Sequence, residues 1–138
     1  MNKQEIFNKA YIGIIKQGKP SMTHSGTCKY EAKDGSRCAV GMLIDEAELR
    51  KTMDSFEPAR IADIINKVTD EDGDSVSELK LPAWVINENE LLTDIQGAHD
   101  FAGHDILEDK ERSEFLPEFI KRMKKVALKY GLTVPEVN

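Results

Sequence analysis

Cys28, Cys38, His99 and Asp100 are the residues of this chain whose types suit nucleophilic or metal chemistry. A thiolate is both nucleophile and soft ligand, and an imidazole can serve as base or as ligand. The catalytic arrangement they admit uses Cys38 as nucleophile, His99 as general base and Asp100 as the nearest carboxylate in sequence. Cys38 follows Arg37 and precedes the apolar run Ala39–Ile44. If that run opens a helix, its N-terminal partial charge and Arg37 would together favour a thiolate. Asp100 is poorly placed to orient His99, because adjacent side chains on a helix point about 100° apart. Asp94 or Asp45 would take that part only if the fold brought either of them near.

Other readings compete. The ten-position spacing of Cys28 and Cys38 is not that of a zinc knuckle, yet a shared hairpin face, completed by His99 and His104, would give a tetrahedral zinc set. The plainer reading has two reduced, buried thiols acting as small apolar side chains, and His99 hydrogen-bonded to a backbone carbonyl. His24 reads as an exposed loop residue. Asp70, Asp72 and Asp74 alternate as calcium ligands do, but Ser75 replaces the glycine at the sixth loop position and Leu81 the glutamate at the twelfth. That stretch, Thr69–Ser77, therefore reads as a solvated acidic loop.

The elements that must position these residues are mostly helices. Ile6, Phe7, Ala10, Tyr11, Ile14 and Ile15 recur at helical spacing over residues 3–17, with an Asn2/Glu5 capping box, Gly18 as the stop and Pro20 beyond it. Cys28–Val40 reads as a β-hairpin around Lys33-Asp34-Gly35. A two-residue turn would throw Cys28 and Cys38 onto opposite faces. A three-residue loop with Gly35 left-handed would put Cys28, Tyr30, Cys38 and Val40 on one face, and it is preferred because it also pairs Glu31 with Arg37. Asp45 and Glu48 open a short helix carrying Met53, and a further helix covers roughly 58–68, with Pro58 in its first turn.

Leu79–Ile86 is apolar and broken by Pro82, admitting an edge strand with Trp84 as a lid on the core. Residues 87–102 form a helix capped by Asn87 and ended by Gly103, with Leu91, Leu92, Ile95, Ala98, His99 and Ala102 on its buried stripe. A charged loop, 104–112, leads to the last helix, 114–130. The cations Lys121, Arg122, Lys124, Lys125 and Lys129 crowd its later turns and complement its dipole, which outweighs a phosphate- or nucleic-acid-binding role for them. The expected fold class is mainly α (α+β): four to five helices packed around one small β-hairpin, as a single globular domain over 1–138.

Composition narrows the function. The 138 residues are 40% hydrophobic and 32% charged, and 25 acids against 19 bases leave a net charge of -6. That balance argues against a general nucleic-acid binder, which needs clustered cations. No apolar run approaches the roughly 20 residues a membrane span requires. The opening NKQEIFNK does not resemble an export signal, so the two cysteines are expected reduced, in the cytoplasm.

The motifs C-x-Y at Cys28 and Tyr30, C-A-V-G-x-L-I-D at Cys38–Asp45, L-L-x-x-I-Q-x-x-H-D at Leu91–Asp100, and the closing KYGL at Lys129–Leu132 resemble those of a family of small, mostly uncharacterised proteins of tailed phages and bacterial genomes. The resemblance implies candidate status for Cys28, Tyr30, Cys38, Gln96, His99 and Asp100, and a phage-encoded accessory role in the bacterial host cytoplasm. The expected function is that of a small binding protein acting on a host protein or small-molecule ligand, with Cys28, Tyr30, Arg37 and Gln96 as ligand contacts and no cofactor. The alternatives are a Cys–His hydrolase or transferase using Cys38 and His99, and a small zinc-binding domain.

Overall fold

A computed structural model of the chain describes residues 1–23, 28–75, 77–107 and 114–137; the side chains of 105–107 lie outside that description. Its helices are α1 (Lys3–Gln17), α2 (Ala47–Asp54), α3 (Ile61–Val68), α4 (Ala83–Asn87), α5 (Asn89–Leu107) and α6 (Phe115–Tyr130), with a 3₁₀ turn at Gly41–Leu43. His24 and most of the 104–112 loop fall outside the described residues.

Helix α1 forms as its apolar spacing requires, with the reciprocal Asn2/Glu5 capping box and Gly18 left-handed at its end. It packs on α5 and α6, which lie along each other. An aromatic stack runs through the core: Phe7 on Tyr11 at 5.7 Å, Tyr11 on Phe119 at 6.2 Å, and Phe119 on Phe115 at 5.8 Å between ring centroids. His99 meets the end of the stack, edge-on to Phe115. Each such fully buried apolar side chain contributes about 1.5–3 kcal/mol. Helix α3 docks its Ile61, Ile64, Ile65 and Val68 face against α5.

The expected β-hairpin is absent: among the described residues there are only two isolated bridges, Met22 with Cys28 and Thr69 with Ser75. The turn at its tip does form. The Gly35 N–H donates to the Ala32 carbonyl and the Ala32 N–H to that of Ser36, with Gly35 at φ 87°. The ladder then fails, because the Asp54 carboxylate takes the N–H groups of Tyr30 at 2.8 Å and Glu31 at 3.1 Å. The Cys38 N–H donates to Lys29 rather than to Tyr30. A side chain from α2 has replaced the strand partner, and the architecture is helical with an irregular segment over residues 28–40.

Further boundaries differ from expectation: α2 starts behind Glu46 without a side-chain cap from Asp45, and Asn87 ends α4 instead of capping α5. Leu79–Ile86 holds no strand among the described residues, since α4 starts after Pro82 and carries Trp84 partly buried against the core. Pro58 lies ahead of α3, after a cis Glu57–Pro58 bond, and not in its first turn. Gly103 does not end α5, which runs on to Leu107. A Cβ there would stand 2.4 Å from the Met22 sulfur and 3.4 Å from Pro20. Gly103 therefore lets the 20–22 loop lie against the helix.

Candidate functional site

The site forms where the irregular segment crosses α5 and the start of α3. Gly41 lets the chain lie back against the Tyr30 backbone, because a Cβ on it would lie 2.2 Å from the Tyr30 carbonyl oxygen. With this close approach, Cys28, Tyr30 and Cys38 face Gln96 and Asp100 across a cavity of 230 Å³ that Lys29, Ala59, Arg60 and His104 also line. Two stretches some 60 residues apart in sequence are thereby brought to one place.

Two of these side chains, and His99 behind them, are occupied by the fold itself. Gln96 accepts the N–H of Ile61 at 2.8 Å, at the start of α3, and donates to the Tyr30 hydroxyl at 3.1 Å. That hydroxyl donates in turn to the Ala59 carbonyl. The pair thus clamps the 59–61 segment to the rest of the molecule. His99 is completely buried; its Nε2 accepts the Ser21 N–H at 3.1 Å, and its Nδ1 lies 2.9 Å from Asp100 Oδ1. Because Nε2 is the acceptor, the proton must sit on Nδ1, and the imidazole is neutral. The expected carbonyl partner of His99 is instead a backbone N–H. Asp100, expected to be a poor orienter, is the group that holds His99. Asp94 and Asp45 are elsewhere, the first bonded to Lys129 and Tyr130, the second to Lys9.

The two thiols are free and protonated. Burial, then the charge of Asp100 and a hydrogen bond to it, then Cys38, push the Cys28 thiol far above the usual range. Cys38 is sealed in the core and is likewise pushed up by burial and by Asp100. The N–H groups of Gly41 and Val40 pull it down, Gly41 lying 3.3 Å from the sulfur, but they do not offset its desolvation. The 3₁₀ turn after Cys38 is too short to supply the helix-terminal field a reactive thiolate needs. Arg37 points away, with its guanidinium 3.7 Å from Glu31 and its backbone N–H donated to Gln17.

One group stands apart electrostatically. The Asp100 side chain is 21% exposed; it accepts from neutral His99 and from the Cys28 thiol, and among the described residues it forms no ion pair with a lysine or arginine. The same charge raises Cys28, Cys38 and Tyr30 together. Sequence reasoning ranked Asp100 as an accessory to His99; the reverse relation, histidine supporting carboxylate, left no signal in spacing. It also passed over Arg60 and His104 as neighbours of that carboxylate.

Cys28, His99 and Asp100 offer donor atoms that lie within 4.8 Å of one another. A metal there would need the Nδ1 lone pair, which requires moving the proton to Nε2 and turning it against the Ser21 N–H. The histidine as held by this loop does not fit that role. At the acidic loop, Asp70 Oδ1 accepts the N–H groups of Asp72 and Asp74, both at 2.9 Å, so its carboxylate is spent on closing the turn.

Among the described residues no helix is long and apolar enough to cross a membrane. No protein-family model matches this chain, and no curated protein and no solved structure matches it.

Proposed function

We propose that this protein binds a small cationic molecule, an amine or amidine, with its charged head on Asp100 in the cavity between the Cys28–Cys38 segment and α5. The observation that carries the reading is a partly buried carboxylate supported, among the described residues, by neutral donors and by no ion pair with a lysine or arginine. Such a group is costly to bury without an opposite charge, and an ammonium ion supplies one together with hydrogen bonds. The walls are compatible with binding and ill suited to covalent chemistry, since both thiols are held protonated and both nitrogens of His99 are engaged. The cavity volume of 230 Å³ favours a small ligand over a host protein chain. A phage-encoded accessory role would then consist of sequestering or sensing such a molecule.

The test is calorimetric titration of n-butylamine into the protein and into Asp100→Asn, which keeps the acceptor for His99 and removes the charge. Saturable binding with Kd on the order of 1 mM, weakened at least about tenfold by the substitution, is the expected result. Equal heats from the two proteins would overturn it. Zinc on Cys28, His99 and Asp100 is a second reading, favoured by their clustering and opposed by the histidine tautomer. Stoichiometric zinc in the purified native protein would put that reading in place of the amine.

A further inference from the structure

Next to the inner cavity lies a second one of 450 Å³, lined by Arg60, Ala62, Asp63, Thr93, Gln96, Gly97, Asp100, Phe101 and His104. Arg60, Gln96, Asp100 and His104 line both, so the two spaces adjoin, and both Asp100 and Arg60 can be reached from either. Resting on the amine-binding reading above, we infer that the ligand is amphoteric, with an ammonium on Asp100 and a carboxylate or phosphate on the Arg60 guanidinium.

Arg60 is built for the second contact. Its Nε donates to Asp63 at 2.8 Å, an i,i+3 pair at the start of α3 that holds the guanidinium plane. The terminal nitrogens make no hydrogen bond among the described residues, and the side chain is 71% exposed. A guanidinium anchored through Nε presents its remaining fork edge to a planar or tetrahedral anion. Phe101, 60% exposed, supplies an apolar wall for a short methylene stretch between the two charges. The order of charges along the cleft also selects: a diamine would bring its second cation to Arg60, and a dicarboxylate would bring an anion to Asp100.

The experiment compares n-butylamine, 4-aminobutyrate, phosphoethanolamine and glutarate by calorimetry on the full chain and on Arg60→Gln. At least one amphoteric probe should bind about tenfold tighter than n-butylamine, an advantage typical of one charge-assisted contact, and Arg60→Gln should erase that advantage without weakening n-butylamine, whose ammonium loses a nearby like charge. The tighter of the two amphoteric probes identifies the tail as carboxylate or phosphate. n-Butylamine binding as tightly as both, an advantage that survives Arg60→Gln, or glutarate binding best would each overturn the amphoteric assignment alone. Failure of every amine to bind would overturn the amine site and this inference with it.

Discussion

The groove between α5 and α6 and the cleft at Asp100 both gather charged side chains on α5, and they treat them differently. In the groove each acid meets a cation or a phenol: Asp94 accepts from Lys129 at 2.8 Å and from Tyr130 at 2.6 Å, and Glu118 accepts from Arg122 at 2.9 Å. Burial and the Asp94 hydrogen bond push the Tyr130 hydroxyl up to about 12. Arg122 also covers the ring of Phe101 at 5.4 Å. Two turns of α5 away, Asp100 accepts from neutral donors and, among the described residues, forms no ion pair with a lysine or arginine. Charges that satisfy one another describe a surface, whereas a charge left without its counterion describes a site.

Substitutions can break this contrast. The largest effect is expected from His99→Ala, which removes the support under Asp100, orphans the Ser21 N–H and leaves a hole beside Phe115; urea unfolding should show a loss of about 3–5 kcal/mol. Asp54→Ala should come next, at roughly 2 kcal/mol, because the Tyr30 and Glu31 N–H groups lose their acceptor and the cavity wall loosens. Asp100→Asn should change stability by no more than about 1 kcal/mol while abolishing amine binding. Asp94→Asn, its counterpart in the groove, should leave n-butylamine binding unchanged.

The thiols sharpen the contrast through pH. Their folded pKa values are raised, so the stability they confer is fully present below the unfolded thiol pKa of about 8.5 and is lost as pH rises above it. Thermal unfolding should show a midpoint that falls above that pH, by roughly 1 kcal/mol per pH unit for each thiol. A Cys28→Ser, Cys38→Ala double variant should flatten the curve. The smallest effect belongs to the groove: Lys129→Ala removes exposed pairs with Asp94 and Glu90 and a cation–π contact on the exposed side of Tyr130, and should move the unfolding midpoint least of all.

Much of the helical scaffold was readable because periodicity and caps are local. Asn2, Glu5 and Gly18 bound α1 by contacts within a few residues, and Gly131 closes α6 in the same way. The hairpin was misjudged for a non-local reason. Lys33-Asp34-Gly35 does make a turn, but whether a ladder follows depends on who accepts the Tyr30 and Glu31 N–H groups, and Asp54 is more than 20 positions away. Gly103 was misread similarly: in sequence it looks like a helix stop, and in space it is a contact with Met22.

The sequence by itself determined which residues were worth watching and where the longer helices lie, though not α4, since residue chemistry and helical spacing are properties of the chain alone. Tertiary structure decided what those residues do. Burial turned two candidate nucleophiles into protonated walls, because a thiolate loses its hydration there and meets the field of Asp100. The Ser21 N–H fixed the proton of His99, and the lack of an ion pair from Asp100 to any lysine or arginine among the described residues made the carboxylate, rather than either cysteine, the centre of the site.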